Sequence, residues 1–175
     1  NVPQTGDEMD TDADGSPEAA RQKSRLAATL PAASKVASEL NNQFIPFLTD
    51  FVHQKDETVM SLRLPVAVTT VKLLKLLSEE DMAIRLPGVL LDVCYVLRSK
   101  AQVSRDIARK TLAEMAVILG PSYFGYIIKE LRTALVRGYQ LHVLSFSVHT
   151  ILVETTDIYK QGDLDHCLED LVAVV

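Results

Sequence analysis

The chain has 175 residues, a mass of 19.3 kDa and a formal net charge of −5, from 18 Lys and Arg against 23 Asp and Glu. Apolar residues make up 47% of it, which excludes a wholly disordered chain and suffices for one sizeable core. Two cysteines, Cys94 and Cys167, are too few for a disulfide framework or a thiolate zinc site. No apolar run approaches the roughly 20 residues of a membrane span, so we expect no membrane partner.

The acidity is concentrated at the N-terminus. Six acids and no base lie within residues 1–20, which leaves the rest of the chain with a net charge of +1. Since such a segment cannot bury enough apolar surface to offset its ordering entropy, we expect residues 1–33 to be a disordered acidic segment or linker. Residues 98–137 have a net charge of +5 and residues 154–175 one of −5. The overall charge therefore does not exclude a nucleic-acid partner.

From Ser34 onward, apolar residues recur at the spacing of one helix face. One such stripe comprises Val103, Ile107, Ala108, Leu112, Met115 and Leu119. No stretch alternates strictly between apolar and polar residues, so the pattern predicts an all-α fold. The predicted helices span about 37–54, 59–77, 86–99, 102–119, 122–137 and 139–155, and a further helix starts near 164.

Local signals mark several helix ends. Gly120 with Pro121 and Arg137 with Gly138 predict boundaries, because glycine suits the end of a helix and proline its first turn. Ser78, followed by three acids, is typical of an N-cap. Pro46, Pro65 and Pro87 predict early-turn positions or kinks. Gly162, Asp163 and Asp165 predict a turn and an N-cap rather than a carboxylate pair for catalysis.

The helices also repeat in pairs. Asp50, Asp92, Glu130 and Asp170 are 42, 38 and 40 residues apart, and Arg63 and Arg105 are 42 apart. An acid in the first helix and an arginine early in the second indicate a polar ladder. A period near 40 with two helices per unit predicts an α-solenoid of HEAT- or armadillo-like antiparallel helix pairs. We assign residues 34–175 to three such pairs and the start of a fourth.

Two features predict that the chain is a fragment of a longer array. The helix at 139–155 is apolar on several sides, as expected of a helix between neighbours. The residues from Leu168 to Val175 show no capping signal, so the last helix is expected to continue.

The sequence contains no arrangement typical of catalysis. A phosphate-binding loop, a nucleophile elbow and a metalloprotease motif are all missing from the 175 residues. His142 and His149 lie two helical turns, about 10 Å, apart, too far to bind one metal ion together, and we expect both to be half-buried. Cys94 lies in an apolar run and is expected to be a core thiol. We predict no enzyme activity, no cofactor, no metal site and no small-molecule substrate.

The basic stretch is the candidate interaction surface. It comprises Arg98, Arg105, Arg109, Lys110 and Arg132. These side chains either contact the phosphates of an RNA or the acids of a protein, or they form an ordinary solvated helix face. Few aromatic residues accompany them, so base stacking is not indicated.

The string Arg-Gly-Tyr-Gln-Leu-His-Val-Leu at residues 137–144, with Gly162–Asp165 and Cys167-Leu168, resembles the family of giant HEAT-repeat proteins called down-regulated in metastasis, or small-subunit processome component 20. The likeness runs from about Leu119 to the end and, more weakly, back to Phe44. The resemblance implies a nucleolar or nucleoplasmic scaffold that supports pre-rRNA processing and small-subunit biogenesis. Its implied partners are processome proteins and the snoRNA or pre-rRNA, and it brings no catalytic residues.

Two other functions stay open. The chain could be a direct RNA-backbone-binding module that uses its basic face. It could also be a HEAT scaffold of another pathway, such as nuclear transport or phosphatase assembly.

Overall fold

The structure is a computed structural model that describes residues 31–174, and the predicted acidic segment lies almost entirely outside that range. The chain divides into two units between residues 36 and 37 of the sequence, and the helices from Leu40 onward all belong to the second unit. The α-helices are α1 (Ala33–Glu39), α2 (Ile45–His53), α3 (Met60–Leu74), α4 (Glu79–Val96), α5 (Gln102–Leu119), α6 (Phe124–Ala134), α7 (Tyr139–Thr155) and α8 (Leu168–Val172). A π-helical segment, Leu40–Phe44, precedes α2, and 3₁₀ turns at Glu57–Val59, Pro121–Tyr123 and Asp165–Cys167 precede α3, α6 and α8. No strand occurs within residues 31–174, so the all-α prediction is confirmed.

The helices form two rows. α2, α4, α6 and α8 pack side by side in the first row, and α3, α5 and α7 do so in the second. Each second-row helix also packs against the first-row helix that precedes it in the chain. Short connections between successive helices make the members of each pair antiparallel. This arrangement is the predicted α-solenoid of helix pairs.

The core lies between the rows and continues from pair to pair. Its largest fully buried side chains include Ile45, Leu64, Leu74, Leu86, Leu90, Leu112, Met115, Phe124, Ile127 and Leu131. Cys94 is fully buried, as predicted, and burial raises the pKa of its thiol. In the predicted stripe of α5, Val103 is 69% exposed, because it lies in the first turn, before the helix reaches its neighbours.

Polar side chains link each helix pair to the next. Arg85 Nε donates to Asn41 Oδ1 (2.8 Å), Lys75 Nζ to the carbonyl of Ile118 (2.6 Å), Tyr139 Oη to that of Arg98 (2.7 Å) and Tyr159 Oη to that of Ala116 (2.8 Å). The paired residues are 44, 43, 41 and 43 positions apart in the sequence. These bonds therefore fix neighbouring pairs in a register of one repeat. Partial burial of the Tyr159 hydroxyl raises its pKa to about 12.

Most local signals act as predicted. Ser78 Oγ accepts a hydrogen bond from the Asp81 N–H (3.2 Å) and caps α4. Gly120 and Gly138 have φ of +84° and +61°, values that L side chains rarely adopt, and they bound α5 and α7 at the predicted residues. The predicted turn at Gly162 also forms, but Asp163 accepts from the Lys160 N–H (2.8 Å) instead of capping α8.

One predicted helix boundary is wrong, and one helix that is apolar on several sides is only partly covered. α4 begins at Glu79 rather than near residue 86, because burial of Met82 and Leu86 holds the turns that precede Pro87 inside the helix. α7 is buried on one side only, through Leu144, Val148 and Ile151. Its other side is exposed, since within the described residues α7 is the last helix of the second row.

The expected half-burial of two histidines is also wrong. His142 and His149 are both exposed, because they lie on the side of α7 away from α5 and α6.

The Ser78 cap provides a test of local stability. We expect Ser78→Ala to lower the free energy of opening of the first turns of α4 by about 1 kcal/mol, because the Asp81 N–H loses its acceptor. Hydrogen exchange of residues 79–84 in the purified protein measures this change. Ser122→Ala, at an exposed serine outside any cap, is the matched control, and equal effects of both variants would contradict the cap.

Candidate interaction surfaces

The structure places the five predicted basic residues at three separate positions. Arg98 lies at the end of α4, with its guanidinium 5.6 Å from the centre of the Tyr95 ring. Arg105, Arg109 and Lys110 lie on α5, in the second row, whereas Arg132 lies on α6, in the first.

Arg105 stabilises the turn between α4 and α5. Its Nη1 donates to the carbonyls of Ser99 (2.8 Å) and Lys100 (2.9 Å), and its Nη2 contacts Gln102 Oε1. These carbonyls belong to the segment that follows α4, where the helix dipole favours a cation. The charge of Arg105 is therefore used inside the fold.

Arg109 is a packing residue between two second-row helices. It is only 4% exposed, pairs with Asp106 one turn earlier, and lies 4.7 Å from the centre of the Phe146 ring of α7. A desolvated guanidinium over an aromatic face gains cation–π energy of about 2 kcal/mol. Arg109 thus joins α5 to α7.

The repeated acids pair between first-row helices. Arg132 of α6 forms an exposed salt bridge with Asp170 of α8, and His53 Nδ1 lies 2.9 Å from Asp92 Oδ1 of α4. The predicted ladder of acid and arginine within a pair is therefore wrong for Asp92, whose partner is His53 and not Arg105. The acid of one repeat instead reaches a base of the preceding repeat, because first-row helices are direct neighbours.

Glu130, the third repeated acid, is buried. It is 7% exposed on α6, and burial raises the pKa of its carboxyl, an effect that the neighbouring Lys129 partly offsets. The charged form of Glu130 is thus disfavoured in the folded protein.

A cavity of about 530 Å³ lies at the junction of the first two helix pairs. Its polar lining residues are His53, Lys55, Arg63, Asp92, Tyr95, Arg98 and Ser99. Of the five predicted residues, only Arg98 lines this cavity, and Lys55, Arg63 and Tyr95 were not predicted to belong to an interaction site. The 42-residue spacing singled out Arg63, but a spacing does not show which cavity a side chain lines.

Arg63 is the buried cation of this cavity. Its side chain is 6% exposed, and its Nε–H meets no acceptor among residues 31–174. A buried donor without a partner costs about 1–3 kcal/mol, and more when it is charged.

A second groove, of about 740 Å³, crosses the second row. Its charged lining residues are Lys72, Arg109 and Lys110 together with Asp106, Glu114 and Glu154. The two signs are balanced there, so the groove offers no net field for an anion.

Two kinds of feature are missing from the described residues, a membrane-spanning helix and a cluster of metal ligands. None of the helices between residues 31 and 174 combines the length and the apolar character that crossing a bilayer requires. The same residues bring no three metal-ligating side chains together.

Two rows of antiparallel helices with a period near 40 residues define an α-solenoid repeat protein. A family model described as the U3 small nucleolar RNA-associated protein 20 domain matches residues 53–175, and the chain belongs to that family. This match confirms the resemblance noted at residues 137–144, 162–165 and 167–168.

Two relatives carry the name U3 small nucleolar RNA-associated protein 20. The one from Schizosaccharomyces pombe (strain 972 / ATCC 24843) is 42% identical over 154 residues, which cover 88% of this chain and 6% of the relative. The one from Saccharomyces cerevisiae (strain ATCC 204508 / S288c) is 35% identical over 136 residues, which cover 78% of this chain and 6% of the relative. The chain thus spans about 6% of the length of these curated relatives.

The contact between Arg109 and Phe146 predicts a loss of stability on substitution. Arg109→Ala should destabilise α5 by about 2–3 kcal/mol, because Asp106 and the Phe146 ring both lose their partner. Hydrogen exchange of residues 105–116 measures this change in the stability of α5. Arg137→Ala, at an exposed arginine, is the control and should change exchange by less than about 0.5 kcal/mol.

The buried carboxyl of Glu130 predicts a specific pH dependence. Its folded pKa is raised, so its contribution to stability is present below the unfolded pKa and is lost as pH rises through the folded pKa. The Glu130→Gln variant has no carboxyl to ionise at this position, so it does not lose this stability as pH rises.

We therefore expect the stability of Glu130→Gln relative to wild type to increase as pH rises from about 4 to 7. Hydrogen exchange of α6, corrected for intrinsic rates, measures the difference. Glu154→Gln, at an exposed acid, should show no such trend, and a difference for Glu130→Gln that is independent of pH would contradict the prediction.

Proposed function

We propose that this chain is a scaffold segment of the small-subunit processome that supports pre-rRNA processing and small ribosomal subunit biogenesis in the nucleolus. The observation that carries the proposal is the family match over residues 53–175, together with relatives named for association with U3 small nucleolar RNA. The role is one of binding, with no catalytic step and no cofactor. The family match favours this pathway over nuclear transport or phosphatase assembly.

The fold supports a scaffold role through its register. Hydrogen bonds between residues 41–44 positions apart hold each helix pair against the next, so binding groups on successive pairs keep fixed spacings. A rigid array binds extended partners without a large ordering entropy.

The same proposal includes residues 34–175 as three helix pairs and the start of a fourth within a longer array. Exposed apolar side chains support this: Leu141, Phe146 and Val153 on α7 are 50%, 55% and 58% exposed, and Val172 on α8 is 73% exposed. These are surfaces that a following pair would bury.

Direct contact with RNA is a second component of the proposal, supported by the net charge of +5 over residues 98–137. Arg98 and Lys110 are exposed and supply the contact. Arg105 and Arg109 make contacts inside the fold, and Arg132 pairs with Asp170. These three arginines therefore hold the surface in place and do not supply the RNA contact themselves.

Crosslinking with mass spectrometry of the native particle tests the scaffold role. We expect Lys72 to crosslink to proteins that copurify with U3 small nucleolar RNA, because it is exposed and lines the groove across the second row. Crosslinks only to transport receptors or to phosphatase subunits would contradict the proposal. An unrelated nuclear HEAT protein carried through the same purification is the control.

A further inference from the structure

We propose that the cavity between the first two helix pairs binds a backbone phosphate of RNA. The inference rests on the proposed function and names the partner and the residues of one contact. The cavity lies where α2 ends, α3 begins and α4 ends, so two repeats supply its walls.

Arg63 provides the central donor. Its guanidinium is held in the cavity wall by burial, and its Nε–H meets no acceptor within the described residues. A guanidinium presents its N–H groups as a planar fork that matches two oxygens of one phosphate. The Nε–H itself is enclosed by the protein, so a phosphate in the cavity has to be met by the Nη groups at the outer end of the guanidinium.

Three cations, Arg63, Lys55 and Arg98, outnumber the two carboxylates around the cavity, Asp92 and Asp56, so the net charge favours an anion. Lys55 and Arg98 line it and are exposed, so their ends can turn toward a bound phosphate. Asp92, the one carboxylate in the lining, already contacts His53 at 2.9 Å. On the turn before α3, Asp56 accepts from the N–H (2.8 Å) and the hydroxyl (2.7 Å) of Thr58. These hydrogen bonds and, to a lesser extent, the charge of Arg63 lower the pKa of its carboxyl, so Asp56 offsets part of the Arg63 charge.

The aromatic residue in the lining favours a nucleotide over a phosphorylated peptide. Tyr95 is 42% exposed and lines the cavity, and the Arg98 guanidinium lies 5.6 Å from its ring centre. A base or sugar next to the phosphate can pack on this pair of a cation and an aromatic ring, whereas a phosphoserine leaves it unused. Each repeat contributes one part: Arg63 and Lys55 come from the first pair, and Tyr95 and Arg98 from the second.

Photocrosslinking of RNA in cells tests the assignment. Cells expressing the whole protein are irradiated, the protein is purified, and its RNA is digested to nucleotide remnants. A protease that does not cleave at lysine or arginine then releases comparable peptides from every variant. In wild type we expect nucleotide adducts on Tyr95 or on the peptide that contains Lys55.

The test variant is Lys55→Gln with Arg98→Gln, two exposed positions whose change leaves the core intact. We expect about tenfold less adduct at Tyr95, equivalent to the loss of one charge-assisted hydrogen bond. The matched control is Lys129→Gln with Arg137→Gln, which removes the same charge from exposed positions outside the cavity and should leave the yield unchanged. Arg63→Lys keeps the charge without the fork and should also lower the yield.

Three results would overturn the inference. They are adducts elsewhere in the protein but none at this cavity, an equal loss in test and control variants, and a phosphopeptide crosslinked at Lys55 in place of a nucleotide. Copurification of U3 small nucleolar RNA is scored on the same samples. If U3 copurifies with wild type but no adduct forms at the cavity, the cavity assignment fails and the proposed function stands. If U3 does not copurify, the proposed function fails, and adducts with another RNA would still support the phosphate site.

Discussion

The packing of each helix against the helix two positions further along the chain is the constraint on which the rest of the structure depends. α2, α4, α6 and α8 meet in one row and α3, α5 and α7 in the other, so no pair buries its apolar surface without a neighbour. The spacing near 40 residues follows from this, since matching faces must recur once per pair. The polar links at separations of 41–44 residues obey the same register.

This constraint decides what the basic residues do. Arg105 and Arg109 lie where α5 meets its neighbours, and their charges are used by carbonyls of the preceding turn, by Asp106 and by the Phe146 ring. A net charge of +5 over residues 98–137 therefore overstates the charge that the array offers to a partner. What remains available lies at Lys110 and at the junction of two repeats, where Arg98 approaches residues of the preceding pair.

The helix ends that depend on interactions within a few residues could be predicted from the sequence. Gly120, Gly138 and Ser78 act through their own backbone or the next turn, and the ends that they set are correct. Ser78 thus indicated the correct start of α4, but the predicted span began near residue 86, because Pro87 looks like a boundary unless the burial of Met82 and Leu86 is known. Side-chain partners were missed for a similar reason: Phe146 lies 37 residues after Arg109, and no local pattern shows that α5 and α7 face each other.

The same reasoning explains why the cavity at Arg63 was not predicted and why it matters. Its walls come from two repeats, so the donor, the aromatic ring and the flanking cations are dispersed over 44 residues, from Lys55 to Arg98. A methionine would fill a similar volume at Arg63 without the desolvation of a charge. In a repeat array, the junction is also the place where side chains of neighbouring units meet around one ligand. A buried arginine there, with an unpartnered donor beside exposed cations, has the chemistry of a binding site rather than of a core.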